Sequence, residues 1–224
     1  MANGKAADVV PSMTETQESS GAAEVRVPEI APRSEHKVVF LGDQRVGKTS
    51  IITHFAFGSF DDSEYTPWTS VGIDYLSMTV PLEDRAVNMQ LWDIGGQEHI
   101  RESSNLIRMY VRNASIAIVV YDITSTMHRH RSTFLSTSKW VEAVRTERGD
   151  DVVIMLVANK SDLSDEQRQV SIDEGVNKAK EGNVLFIETS AKVKKNVQAL
   201  FEKLAAVVDT AAPGLKEGTV DFCL

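Results

Sequence analysis

The segment Gly42-Asp43-Gln44-Arg45-Val46-Gly47-Lys48-Thr49 constrains this chain more than any other, because G-x-x-x-x-G-K-[ST] works only between a strand and a helix. Both flanks are present. Lys37–Leu41 (KVVFL) is an apolar run of strand type, and a helical pattern follows Lys48. In that setting the backbone N–H groups from Asp43 to Ser50, together with the helix N-terminus, can cradle phosphates. Lys48 can reach the β/γ oxygens, and the Thr49 hydroxyl can coordinate Mg²⁺.

Two further segments supply complementary chemistry. Leu91-Trp92-Asp93-Ile94-Gly95-Gly96-Gln97-Glu98 follows an apolar strand directly. Asp93 at the strand end can hold Mg²⁺, through water, and Gly96 can bring its N–H to a γ-phosphate. Gln97 would then orient an attacking water. Taken alone, this segment reads equally well as a strand end and a turn. Ala158-Asn159-Lys160-Ser161-Asp162 ends the run VVIMLVA, the place where open α/β sheets bind ligands. Asp162 can accept from the N1–H and 2-amino group of guanine, which adenine cannot match, and polar sites of this type discriminate by about 10⁴-fold or more. Asn159 would hold the loop and Lys160 would lay its stem along the base; otherwise the segment is a polar turn. Glu188-Thr189-Ser190-Ala191-Lys192 follows the last apolar run. There the Ala191 N–H is expected to meet the guanine carbonyl, with Lys192 over the ring and Ser190 beside it.

Around these segments the chain reads as one α/β domain. The strand patterns GIDYLSMTV and RAVNMQLWD form a hairpin across Pro81–Asp84. Apolar runs at Ile116–Tyr121, Val152–Val157 and Val184–Ile187 alternate with helical segments. Such alternation implies a mainly parallel sheet covered by helices on both faces. Ser171 and Glu174 have capping-box spacing. Val197, Leu200, Phe201, Leu204, Val207 and Val208 form one stripe of a final helix. The expected organisation is a disordered arm over 1–35, a nucleotide-binding domain over 36–209 and a flexible tail over 210–224. With 24 basic against 32 acidic residues and a formal charge of −8, nucleic acid is not an expected partner. The lone Cys223 cannot form an internal disulfide, no apolar span suits a membrane helix or signal peptide, and Ala2 precludes N-myristoylation. These features together point to a cytoplasmic protein.

With the four segments in order over about Lys37 to Val208, the chain resembles the small GTPases of the Ras superfamily, and within them the Rab branch. GIDYLSMTVPLEDR, YDIT, VRTERGDDVVIMLVANKSDL, RQVSIDEG and FIETSAK are most similar to the sixth Rab subfamily, which the family links to Golgi vesicle transport. The resemblance implies a six-stranded P-loop fold with five helices, and GTP/GDP and Mg²⁺ as cofactors. It also implies a slow GTP hydrolase whose two switch segments are read by effectors. An exchange factor and a GTPase-activating protein would be its other partners. By position, Phe60 would lie against the guanine, Ser70 would close on Mg²⁺ beside Thr49 and Asp93, and Tyr75, Trp92 and Tyr110 match an aromatic trio that Rabs present to effectors. Ordinary interswitch core is an equal reading of that trio.

The match departs in places. The Phe60–Ser70 span is longer than the Rab spacing and carries Pro67-Trp68, and the spans after Gln97 and around Met127–Ser132 are longer too. Serine replaces the usual threonine at Ser70, D-I-G-G-Q replaces D-T-A-G-Q, and Gln44 stands where Ras has glycine, so unassisted turnover should be very slow. Arg101 and Arg108 read as surface residues, and His128 with His130 as a solvated loop. Cys223 lacks both the paired-cysteine ending of Rabs and the C-a-a-X spacing. A single prenyl group there would give only reversible membrane association; the alternative is a free thiol. A GTP-holding module that barely hydrolyses, and an ATP-using P-loop enzyme, are the competing functions.

Overall fold

Residues 35–59, 73–83, 85–96, 104–124, 131–163 and 166–210 are described by the computed structural model. Phe60, Pro67, Trp68, Ser70, Gln97, Arg101, His128, His130 and Cys223 lie outside them, as do the N-terminal arm up to residue 34 and the tail from 211.

The described chain alternates strands β1 (Glu35–Leu41), β2 (Ile73–Pro81), β3 (Ala86–Ile94), β4 (Ile116–Asp122), β5 (Val153–Asn159) and β6 (Leu185–Glu188) with five helices. These are α1 (Lys48–Phe57), α2 (Ser104–Val111), α3 (Ser132–Arg148), α4 (Ile172–Glu181) and α5 (Val197–Thr210). The strands form one six-stranded sheet in the order β2-β3-β1-β4-β5-β6. All neighbours are parallel except β2 and β3, whose antiparallel register runs from Ile73 opposite Ile94 to Pro81 opposite Ala86. This is the expected sheet with its expected hairpin, the hairpin lying at one edge.

Side chains of a strand alternate between faces, and the two cores divide accordingly. Val38 and Phe40 join Ile51, Met89, Ile118, Leu200, Phe201 and Leu204 on one face, under α1 and α5. Val39 and Leu41 join Ile107, Val111, Val119, Tyr121, Trp140, Val144 and Leu156 on the other, under α2, α3 and α4. Because β1 is covered on both faces, Val38 to Leu41 are wholly buried, which explains a continuous apolar run in place of an alternating one. Burial of rings such as Phe40 and Phe201 contributes about 1.5–3 kcal/mol each. Phe201 also stacks on Phe55 with ring centroids 3.7 Å apart, tying α5 to α1.

Local signals set the helix ends. Ser171 and Glu174 form the full capping box at the start of α4. In α5 the predicted stripe is buried except for the partly buried Val207, and Ala205 joins it. Two strands run further than their apolar patterns: β4 ends on Asp122 and β5 on Asn159. Ladder pairing of Asp122 with Asn159 carries both strands to polar residues, which periodicity cannot foresee.

Candidate functional site

Strands β1, β3, β4, β5 and β6 all point the same way, so Gly42–Thr49, Asp93–Gly96, Asp122–Thr124, Asn159–Asp162 and Glu188–Lys192 emerge at one edge of the sheet. Motifs far apart in sequence become neighbours there, as expected for a ligand crevice at the carboxyl ends of parallel strands.

The phosphate loop is shaped by backbone that turns into the left-handed region at Gly42 (φ 135°), Arg45 (φ 67°) and Gly47 (φ 98°). A Cβ on Gly42 would meet the Val120 carbonyl oxygen at 2.2 Å, and one on Gly47 would meet Asn159 Nδ2 at 2.3 Å. Glycine is required at both for conformation and for space. Gly47 caps α1 with no side-chain hydrogen bond and no acidic residue in the first turn, whereas α4 is capped by Ser171 and Glu174. Helix α1 thus presents its first N–H groups and positive dipole end to an anion. Gln44 and Arg45 are exposed, Ser50 is half-buried, and Val46 is wholly buried beneath the loop. Asp43 is itself buried, and its Oδ1 accepts a 3.1 Å hydrogen bond from Trp140 Nε1 of α3. Its side chain therefore anchors the loop.

Lys48 is buried, and its Nζ donates to the carbonyls of Gly42 (2.9 Å) and Asp43 (3.1 Å). Burial pushes its ammonium below the ordinary lysine range, against the opposing pull of the Asp93 and Asp43 carboxylates. Next to it, the Thr49 hydroxyl donates to Asp93 Oδ2. One hydroxyl and one carboxylate from opposite sides of the crevice converge, a hard-oxygen donor set that suits Mg²⁺, which takes few protein ligands and keeps waters and phosphate oxygens. Among the described residues no cluster of three or more His, Cys, Asp or Glu side chains could hold a metal by itself. Gly96 lies against the loop: a Cβ there would approach Asp43 C, Gln44 N and Gly42 O at 2.4–2.5 Å. At Gly96 the second motif thus meets the phosphate loop backbone to backbone, beside the side-chain contact of Asp93 with Thr49.

The base-side residues are organised by Asn159, which is 1% exposed. Its Nδ2 donates to the Val46 carbonyl at 2.9 Å, and its Oδ1 accepts from Thr189 Oγ1 and from the Ala191 N–H, both at 3.1 Å. One side chain thereby joins the phosphate loop, β5 and the loop after β6. The Ala191 N–H, expected to meet a guanine carbonyl, is donated to Asn159. Lys160 takes a left-handed conformation (φ 73°), and its Nζ pairs with Asp122 Oδ2 at 2.6 Å. Asp122 in turn accepts from the Thr124 N–H and hydroxyl at 2.8 and 2.7 Å. Asp162 accepts from Ser190 Oγ at 2.5 Å, and Ser190 is wholly buried. Lys192 is exposed at the rim.

Sequence reasoning passed over Asp122, Trp140, Thr189 and His54, whose Nδ1 hydrogen-bonds to the Ala191 carbonyl. Only Asp122 carried a signal, as an acidic residue at the C-terminal end of a parallel strand. The aromatic trio splits. Tyr75 is 53% exposed and meets the half-buried Trp92 edge-on, with centroids 5.2 Å apart, while Tyr110 packs on the core below. Arg108 is an exposed residue 3.9 Å from Glu147, as expected. Among the described residues no helix is long and apolar enough to cross a membrane.

A phosphate loop before a helix with no side-chain cap, a hydroxyl–carboxylate pair of a kind that suits Mg²⁺ and a polar cluster stapled by Asn159 thus share the carboxyl end of a six-stranded, mostly parallel sheet. The family model described as Ras family matches residues 37–210, which span every one of these elements, and the chain belongs to the Ras family of small GTPase switches.

Proposed function

We propose that this chain is a Rab-like GTPase that hydrolyses GTP slowly and regulates vesicle-mediated transport at the cytoplasmic face of Golgi or vesicle membranes. Residues 36–209 are the GTPase domain of this reading, between the arm and the tail. The carrying observation is that Gly96, one residue before Gln97, rests on the Gly42–Gln44 backbone. The segment bearing the water-orienting glutamine is thereby coupled to the loop that senses the γ-phosphate.

In this reading the N–H groups from Asp43 to Ser50 bind the phosphates, and Lys48 exchanges its loop carbonyls for phosphate oxygens. Thr49, Asp93 and Ser70 would hold Mg²⁺, which supplies neutralisation of the charge shared by the β- and γ-phosphates. Gln97 orients a water whose oxygen bonds to the γ-phosphorus as the bond to the β-phosphate oxygen breaks. Asp162, held by Ser190, reads the guanine N1–H and 2-amino group, Lys160 and Phe60 flank the ring, and Lys192 covers it. The exposed Tyr75 beside Trp92 supports an effector surface of Rab type. An exchange factor and a GTPase-activating protein complete the cycle, and Cys223 with one prenyl group gives reversible membrane attachment.

Single-turnover phosphate release from GTP-loaded protein tests hydrolysis: Gln97→Leu should abolish a slow but measurable rate. Equal, negligible rates in both proteins would instead support the second reading, a GTP-holding module, which the exposed Gln44 of the phosphate loop favours. For the base site, Asp162→Asn should shift preference away from guanine. Fluorescence of a tagged chain in cells reads the membrane assignment, and loss of Golgi signal on Cys223→Ser would be the expected result.

A further inference from the structure

Strand β4 ends on an acidic residue that none of the phosphate, Mg²⁺ or base contacts uses. Asp122 is 6% exposed, and ladder pairing sets it opposite Asn159, the last residue of β5. A carboxylate removed from water is costly unless its oxygens are matched. Here both oxygens are matched: Oδ1 accepts from the Thr124 N–H at 2.8 Å and from the Thr124 hydroxyl at 2.7 Å, and Oδ2 takes the Lys160 ammonium at 2.6 Å. The first two bonds are local and fix the carboxylate. The third crosses from β4 to the segment that follows β5.

Lys160 needs such a hold. Its backbone lies in the left-handed region, φ 73°, which is uncommon for a residue other than glycine and persists only where the surroundings over-determine it. The neighbouring backbone is fixed on both sides. The Asn159 carbonyl accepts from the Ile123 N–H at 3.2 Å, the Ser161 N–H donates to the Thr189 carbonyl at 3.1 Å, and the Leu163 N–H donates to the Lys160 carbonyl at 3.2 Å. Asp122 fixes the far end of the side chain. A lysine stem held at both Cα and Nζ gives up its rotamer freedom on folding, so a ligand that packs on it does not have to order it.

We propose that Asp122 is a positioning residue for the nucleotide base: by holding the Lys160 ammonium it preorganises the lysine stem as one wall of the base site, and so slows nucleotide release. The inference rests on the guanine-nucleotide reading above, in which Lys160 lies along the ring. The two acidic residues then divide the work. Asp162 selects the base by its edge, whereas Asp122 acts on residence time whatever groups that edge carries.

The test uses the full chain loaded with ribose-labelled fluorescent GDP or IDP at fixed Mg²⁺, with release followed after adding excess unlabelled GDP. Asp122→Asn keeps an oxygen for Thr124 and sets an amide donor against the ammonium. It should release both nucleotides about tenfold faster, the lower end of what a hydrogen bond to a charged group contributes, because such effects fall mainly on dissociation. Lys160→Met, which keeps a stem and loses the ammonium, should accelerate release to a similar extent. The double variant should be no faster than the faster single one, since Asp122 acts only through Lys160. Accelerations that multiply in the double variant, a wild-type rate for Asp122→Asn, or a changed ratio of GDP to IDP release each overturn the proposal. Should Asp122→Asn not fold, Lys160→Arg, which keeps a cation for Asp122, is compared with Lys160→Met, and equal release rates from these two overturn it instead. Wild-type protein that holds ADP as tightly as GDP would refute the guanine reading itself; a clear GDP preference with multiplying accelerations would sink this inference alone.

Discussion

Replacing Asn159 by alanine removes three hydrogen bonds at once and tests whether one side chain holds the phosphate loop to the loop after β6. The partners are the Val46 carbonyl at 2.9 Å, and Thr189 Oγ1 and the Ala191 N–H at 3.1 Å. Asn159, Thr189 and Ala191 are at most 3% exposed, so water cannot readily take the place of the lost amide. A polar group stranded in such a place costs about 1–3 kcal/mol. Three of them, allowing for non-additivity among groups that share one partner, should cost about 3–5 kcal/mol. For a domain of this size each kcal/mol lowers Tm by about 2–4 °C, so the melting midpoint should fall by about 10 °C. Thermal unfolding of wild-type and variant protein at the same GDP and Mg²⁺ concentrations measures this, since bound nucleotide itself shifts the midpoint. Asn159→Asp separates the two halves of the staple: it keeps both accepted bonds but sets a carboxylate oxygen against the Val46 carbonyl. It should be destabilised at least as much as the alanine variant, because a buried charge facing an acceptor is worse than a gap. A midpoint within about 2 °C of wild type for Asn159→Ala would refute the staple, on the same conversion.

Three further outcomes follow from the geometry. Gly96→Ala places a methyl 2.4–2.5 Å from the Gly42–Gln44 backbone, so single-turnover GTP hydrolysis should fall by about 10²-fold, the usual loss for one transition-state donor, with GDP affinity little changed; parallel losses in both would show that the contact serves binding only. Trp140→Phe removes the 3.1 Å donor to the buried Asp43 carboxylate and should cost about 1.5–3 kcal/mol, read as a lowered urea midpoint at constant m. The Glu174 carboxyl is held down from its ordinary 4.5 to about 2, chiefly by the Arg131 guanidinium hydrogen-bonded to it and then by the Ser171 N–H. A depressed carboxylate adds stability that is complete above its unfolded pKa and lost as pH falls through the folded one, so the Arg131–Glu174 contribution should fade between about pH 4.5 and 2. Glu174→Gln should flatten the pH dependence of Tm in that window and leave its slope near pH 7 alone.

Much of this protein was legible along the chain because its chemistry is carried by backbone in short contiguous segments. Gly42, Gly47, Lys48 and Thr49 lie within one loop and one helical turn, so a pattern of eight residues specifies the phosphate seat. Apolar runs gave the strands, and the Ser171–Glu174 box gave a helix start, because both are local effects. Against the Rab spacing that the resemblance supplies, the spans from Phe60 to Ser70, after Gln97 and around Met127–Ser132 are longer.

What the sequence by itself determined is the set of parts: an α/β sheet, a phosphate loop, a hydroxyl and a carboxylate of the kind that suits Mg²⁺, and the polar segments proposed to meet the base. Tertiary structure alone decided how those parts are braced. Asn159 to Val46, Trp140 to Asp43, Lys160 to Asp122 and His54 to Ala191 each join residues from different elements. Nothing in the local composition of either partner marks such a pair. The parallel sheet creates them by bringing the carboxyl ends of five strands to one edge, where polar groups removed from water must find one another. The same convergence gives the Ala191 N–H an acceptor inside the fold, the buried Asn159 Oδ1 beside it.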